Sequence, residues 1–471
     1  MSEVIRKLMQ LNESDEYPLH MPGHKRNVGC GFLSDVYGID ITEIIGYDNL
    51  YEADGMLKDA MERAAKVYGT EETFFLVNGS TVGILSAITG VTKRGDRILV
   101  ARNCHKAVFH AIELRELQAV YLHPEYLPEW DIAGGIDPKE VEAKLAQHPD
   151  IKAIVITSPT YEGIVSDVET IAGLAHAHNI PLIVDEAHGA HLPFDERFPK
   201  SALSCDADIV IQSMHKTLPS FTQTALIHMK KGYADIGRIK EYIGYYQTSS
   251  PSYLFMAGMD ECISTLEKEG SRLWDAFFEM REEFLKKMAR LQAIRILTGN
   301  DPCKLVISVK GTDLTGNELQ KILLERYHIQ LEMAAESYVL GIITMCDTKE
   351  GFDRLANALL EVDESLDKSM TELSEEAIIY EEYKHSNKSV VWQEDIVYSL
   401  AEVREKEIKE VLIDEAEGCV CADYVNLYPP GIPLFLPGER ISKEHIALIN
   451  RYLEKDMHVQ GVSGRMIHVC K

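Results

Sequence analysis

Short runs of consecutive apolar residues recur through about the first 260 positions, separated by stretches with helical spacing. "RILVA" (97–101), "AIVIT" (153–157), "PLIVD" (181–185) and "DIVIQ" (208–212) show no polar alternation, the pattern of strands covered on both faces. Between them lie helical patterns at 138–147 and 167–178. Strands alternating with helices predict an α/β fold with a largely parallel sheet. A long charged helical pattern at 262–291 has the length of a connector between domains. A smaller α/β unit follows, with strands at 303–309 and 338–345 and helices at 315–327 and 349–366. The acidic stretch 371–383 opens a C-terminal segment, whose "LYPPGIPLFLPGERIS" (427–442) holds too many prolines for a regular helix. The predicted organisation is an N-terminal arm (1–50), a large domain (51–295), a small α/β domain (296–370) and a C-terminal domain (371–471). The arm begins with a short amphipathic helical pattern and continues through the turn-rich "HMPGHKRN" (20–27).

Length and charge narrow the function classes. A chain of 471 residues is too long for one hydrophobic core. A net charge of −27 argues against nucleic acid and anionic membranes as partners and is compatible with a cationic substrate. Nine scattered cysteines, with Cys419 and Cys421 forming only a C-x-C, read as reduced thiols of a cytoplasmic protein and not as a zinc framework. No run approaches the roughly 20 apolar residues of a membrane span, and the N-terminus lacks the apolar core of a signal peptide.

Four polar clusters stand at or near predicted strand ends, where an open parallel sheet binds its ligands. In "FFLVNGSTVGILSAITG" (74–90), Gly79, Ser80 and Thr81 open a helix and offer N–H groups and hydroxyls to a phosphate. The same residues also make an ordinary helix cap. In "RILVARNCHKAVFHA" (97–111), His105 follows a strand and is either a loop residue or a ring able to stack on a flat heterocycle. In "IPLIVDEAHGAH" (180–191), Asp185 and Glu186 end a strongly apolar strand, so a buried cationic partner is expected. Asp185, Glu186, His188 and His191 alternatively offer metal ligands, although no second cluster completes a site. In "DIVIQSMHKTLPSFTQTALIHM" (208–229), Lys216 stands 31 residues after Asp185, one strand–helix–strand step, flanked by Ser213 and His215. A lysine in a desolvated pocket is nucleophilic toward carbonyls; on a surface turn it is merely solvated.

Taken together the clusters suit pyridoxal 5'-phosphate. Gly79, Ser80, Thr81, Ser213 and His215 take the phosphate, Asp185 the pyridine nitrogen, His105 the ring face and Lys216 the aldehyde. The chain also resembles the fold-type-I pyridoxal-phosphate decarboxylases of ornithine, lysine and arginine. The resemblance rests on "HMPGHK" (20–25), "NGST" (78–81), "RNCHK" (102–106), "SPTYEG" (158–163), "VDEAHGAH" (184–191), "SMHK" (213–216), "TSSPSYL" (248–254) and "YPPGIPL" (428–434). It implies an aspartate-aminotransferase-like fold type I, with a large cofactor domain and smaller C-terminal α/β domains. It implies a homodimer with shared active sites, in which Thr248 reaches the phosphate held by the neighbouring subunit. Lys216 is then the Schiff-base lysine and His188 sits beside cofactor and substrate. The chain resembles the short form of the family, without the N-terminal receiver-like domain of larger members. Two positions depart from the usual pattern: Tyr51 stands where short members show His, and Glu162 where many carry an aromatic residue or Asp.

The expected reaction is decarboxylation of a basic amino acid, arginine first and lysine or ornithine next, in polyamine supply or acid resistance. Lys216, His105, Asp185 and His188 are the catalytic candidates. Glu162 and Glu439 are the candidate partners of the substrate's distal cation. Transamination is the first rival and requires an arginine clamp on the retained α-carboxylate, for which Arg354, Arg440, Arg451 and Arg465 are available. A non-catalytic binding or regulatory protein on the same fold is the second.

Overall fold

The computed structural model describes residues 1–14, 34–366, 395–427, 432–454 and 458–471. The "HMPGHK" stretch, the acidic stretch 371–383 and positions 428–431 of the proline-rich stretch lie outside these residues. Among the described residues, nine strands occupy the first half of the chain: β1 (Glu72–Leu76), β2 (Arg97–Ala101), β3 (Gln118–Leu122), β4 (Pro124–Leu127), β5 (Ile132–Ile136), β6 (Ile151–Thr157), β7 (Leu182–Asp185), β8 (Ile209–Ser213) and β9 (Ala225–Met229). All but the β4–β5 hairpin belong to a mixed, mostly parallel sheet of seven strands, the α/β class the apolar runs predict. Each predicted run lies on a strand, within one or two residues at either end. The chain divides into two compact units, one of residues 1–91, 168–283 and 343–349, the other of 92–167, 284–342 and 350–471.

In the first unit the strand order is β1-β9-β8-β7. β9 is antiparallel to both β1 and β8, while β7 and β8 are parallel, so β1, β7 and β8 all end on one edge. Every residue of β7, β8 and β9 is buried. Each fully covered Ile, Val or Leu there contributes about 1.5–3 kcal/mol. The helix Gly79–Val91 lies close to this sheet because Gly83 has no side chain: a Cβ there would stand 2.7 Å from Leu76 Cδ1 and 3.0 Å from Ile211 Cγ2. The helix Tyr253–Met288 begins nine residues before the predicted connector. Its first turns are apolar on several faces, with Tyr253, Met256, Ala257 and Met259 all buried, so no amphipathic period marks them. The N-terminal helix Glu3–Glu13 forms as its pattern predicts, and its first amides donate to Glu261 (Ser2 N, 2.5 Å) and Asp260 (Val4 N, 3.3 Å).

In the second unit β6, β2 and β3 are parallel neighbours. A four-stranded antiparallel sheet comes next, in the order Arg295–Ile296, Lys304–Ser308, Tyr338–Ile342, Met333–Ala334. The helix Gly316–Tyr327 starts from a capping box between Thr315 and Glu318, and Lys349–Ser365 forms the next helix. The C-terminal segment builds its own core, including Ile413, Cys421, Phe435, Ile449 and Ile467. Pro433 there starts the short strand Pro433–Phe435, a position where its missing N–H is tolerated. Among the described residues no helix is long and apolar enough to cross a membrane, and the described cysteines form no disulfide.

Candidate active site

The common edge of β1, β7 and β8 collects most of the predicted residues of the first unit. Leu76 at the end of β1 and Ser213 at the end of β8 are both register partners of Ala225, so the two strands end level. The chain segments leaving those two ends are therefore brought together: Ser80 Oγ lies 2.7 Å from Ser213 Oγ. The first turn of the helix Gly79–Val91 is partly open, with Thr81 exposed and Ser80 buried. One predicted phosphate donor is already committed, because the Gly79 amide donates to the Gln223 carbonyl at 2.8 Å. Gly79 instead supplies the positive φ of 73° that turns the chain from β1 into the helix. The amides of Ser80 and Thr81 stand in the first helical turn, where N–H groups have no partner within the helix.

β8 ends in the single helical turn Met214–Thr217, which carries His215 and Lys216 half-buried. Lys216 Nζ lies 3.1 Å from His188 Nε2. His188 is buried, directly after the hydrogen-bonded Asp185–Ala187 turn, in which Asp185 accepts from the Ala187 amide at 3.1 Å. Asp185 is 3 % exposed. Burial pushes its carboxyl above the usual range, and the positive charge of Lys216 pulls it back. His215 Nδ1 donates to the Thr224 carbonyl at 3.0 Å. Burial lowers the His215 pKa more than that bond restores it, and Lys216 lowers it further. With Nδ1 donating to that carbonyl, Nε2 is the nitrogen left to meet a phosphate, and it donates there only when the ring is doubly protonated.

The metal reading of this loop does not assemble. Asp185, Glu186, His188 and His191 form no ligand cluster among the described residues. Glu186 accepts from Ser201 Oγ (2.6 Å), the Ala202 amide (2.7 Å) and Gln212 Nε2 (2.6 Å). The His191 ring packs edge-on against Phe198, with centroids 4.7 Å apart. Thr248 is exposed and follows Gln247, whose Oε1 accepts from the Val77 amide at 2.8 Å. The Tyr51 hydroxyl donates to the Thr248 carbonyl, and its ring stacks near Phe74.

The remaining predicted residues belong to the second unit. His105 is half-buried and caps the helix Lys106–Arg115, its Nδ1 accepting from the Ala107 amide at 3.2 Å. Glu162 is buried and accepts from Tyr338 Oη at 2.7 Å, and burial raises its carboxyl. Glu439 is 4 % exposed and faces Arg102 Nη2 at 3.3 and 3.4 Å while accepting from the Leu436 amide at 2.8 Å. The charge of Glu439, expected to take a substrate cation, is met in this structure by Arg102. Three of the four possible clamp arginines are paired with acids: Arg440 with Asp395 and Arg465 with Asp414 at the surface, and half-buried Arg451 with Glu336. Arg354 is exposed. Sequence reasoning gave no role to Arg102, Gln212 or Tyr338. Arg102 is legible as the first residue of "RNCHK", a charged side chain directly after the buried run Ile98–Ala101.

The first-unit donors fit pyridoxal phosphate. A buried carboxylate whose charge is costly without a cation suits a protonated ring nitrogen, and paired serine hydroxyls at a helix N-terminus suit a phosphate. Comparison with known proteins agrees. The sequence pattern of "Orn/Lys/Arg decarboxylase, major domain" matches residues 3–300, and that of "Orn/Lys/Arg decarboxylase, C-terminal domain" matches residues 379–461. An arginine decarboxylase of Bacillus subtilis is 32% identical over 469 residues, covering 96% of this chain and 94% of that protein. The crystal structure of a lysine decarboxylase of Francisella novicida covers 100% of this chain and 81% of that one with a TM-score of 0.84 at 21% identity. An alanine–glyoxylate aminotransferase of Nostoc shares the fold over 65% of this chain and 86% of its own, with a TM-score of 0.52 at 14% identity. The chain belongs to the Orn/Lys/Arg decarboxylase family, pyridoxal-phosphate-dependent enzymes of fold type I that act on basic amino acids.

Proposed function

We propose that this chain releases the α-carboxylate of a basic amino acid as carbon dioxide and frees the amine, with arginine the first substrate and lysine or ornithine next. One observation carries the reading: Lys216 Nζ lies 3.1 Å from His188 Nε2, on the sheet edge that also holds buried Asp185. The order of substrates is supported by the 32% identity to a protein named arginine decarboxylase. Pyridoxal phosphate, when bound, supplies an electron sink for the pair left on Cα by the departing carboxylate.

The chain's own residues do the rest. Lys216 would hold the cofactor through its aldehyde, and its amine lies within proton-transfer distance of His188. Asp185 keeps the ring nitrogen protonated, since an isolated charge at its buried position is costly. The Ser80 and Thr81 amides, the Ser80 and Ser213 hydroxyls and His215 hold the phosphate. His105 faces the ring. His188 Nε2 and Lys216 Nζ are close enough to pass a proton, and either returns one to Cα. Glu162 is the carboxylate proposed for the substrate's distal cation. The working form is a cytoplasmic homodimer in which exposed Thr248 reaches the partner subunit's phosphate site.

The test is amine and carbon dioxide release from arginine, lysine and ornithine with added pyridoxal phosphate. One dominant amine is expected, falling at least about 10³-fold in Lys216→Ala. Cofactor binding without release from any of the three would refute decarboxylation and favour transamination.

A further inference from the structure

We infer that the buried Arg102–Glu439 ion pair is a positioning device, through which the C-terminal segment holds the turn that presents His105. The inference rests on the proposed role of His105 at the cofactor ring. All the residues concerned lie in the second unit.

Arg102 follows β2 and is 1 % exposed, a burial that its charge tolerates only with partners. Four hydrogen bonds tie its guanidinium to one short stretch some 330 residues away. Nη1 donates to the Pro433 carbonyl at 2.9 Å, and Nη2 donates to the Leu434 carbonyl at 3.2 Å and to both Glu439 oxygens at 3.3 and 3.4 Å. Glu439 in turn holds its own loop by accepting from the Leu436 amide. The guanidinium also stands 5.8 Å from the centre of the Phe109 ring, on the helix that His105 caps.

The same helix is held again near its far end. Arg404 donates to both oxygens of Glu113 at 2.8 and 3.1 Å, and the Tyr424 hydroxyl donates to Glu113 at 3.1 Å. The His110 ring meets Tyr424 edge-on at 5.4 Å. The C-terminal segment thus grips residues 102–115 before and after His105. An exposed ion pair at Arg404 is worth little alone, whereas the Arg102 pair is fully desolvated and cannot lose one member without stranding the other. His105 follows Arg102 by three residues, so a shift of the guanidinium is carried directly into the His105 cap.

The test uses the cofactor-loaded full chain with Arg102→Gln and Glu439→Gln, each also in a His105→Ala background. Glu439→Gln keeps the shape of the site and serves if Arg102→Gln fails to fold. Three readings are expected: faster amide exchange across 102–108 with or without cofactor, an altered visible circular dichroism of the bound cofactor, and a kcat lowered about tenfold with KM changed less. In the His105→Ala background the further loss should shrink below about twofold, because the pair acts through that ring. Equal losses in both backgrounds would overturn the inference, as would unchanged exchange and dichroism in a folded variant. If wild type binds cofactor but releases no amine, exchange and dichroism still decide the positioning role while the decarboxylase reading fails. If wild type binds no cofactor, unchanged exchange would still refute the grip.

Discussion

Glu186 gives the sharpest stability prediction, because its surroundings define both protonation states. It is 1 % exposed and adjoins Asp185, and burial together with that neighbouring charge raises its carboxyl from 4.5 to about 7 against the pull of its hydrogen bonds. A raised folded value means that the native chain binds this proton more tightly than the unfolded chain. The stabilisation is then complete below about pH 4.5 and is lost as the pH rises through about 7. Through linkage, the whole span amounts to about 3 kcal/mol of stability for this one group.

Protonation can be accommodated because the contacts of Glu186 form a reversible chain. Gln212 donates to Glu186, and its Oε1 lies 3.2 Å from His228 Nε2; His228 Nδ1 lies 2.8 Å from Thr73 Oγ1, which lies 2.8 Å from Thr70 Oγ1. Burial holds His228 down to about 3, so the ring is neutral and only its tautomer changes. When Glu186 gains a proton, Gln212 turns its amide over, His228 moves its proton from Nε2 to Nδ1, and every member keeps a partner. Glu186→Gln imitates that state permanently: its oxygen keeps the Ala202 amide while its NH₂ faces Ser201 and Gln212. The denaturant midpoints of wild type and Glu186→Gln are to be compared from about pH 5 to about pH 8. The wild type should lose roughly 2–3 kcal/mol relative to the variant across that window, since groups common to both cancel in the difference. A difference that stays constant within about 0.5 kcal/mol would refute the reasoning.

Two further substitutions probe other parts of the structure. Gly316→Ala should destabilise the chain by more than about 2 kcal/mol, read as a lowered denaturation midpoint, because the new Cβ would run into the Ala335 and Tyr338 carbonyl oxygens, which are backbone and cannot swing away. Tyr51→Phe keeps the ring beside Phe74 but loses the donor to the Thr248 carbonyl, so if Thr248 serves the phosphate, cofactor affinity should fall roughly threefold to tenfold by equilibrium titration.

The parts of this molecule legible in the sequence are those with a local cause. β7 and β8 stood out as apolar runs because both faces are covered, and Lys216 and Asp185 stood out because strand ends are where a parallel sheet presents chemistry. The hairpin of β4 and β5 did not, since "IAGGI" is mostly glycine and alanine with no apolar period. The antiparallel setting of β9 was equally hidden, because buried strands look alike in either direction. Glu439 marks the deeper limit. As a glutamate in an acidic chain it has no local signal beyond its charge. Its actual partner lies 337 positions away, and Arg102 was itself visible only as a cation after an apolar strand. A buried charge can be suspected from its apolar flanks, but which opposite charge answers it depends on packing that brings distant segments together. The pair joins the residue after β2 to the C-terminal segment, so the two sequence patterns that match this chain share a desolvated contact.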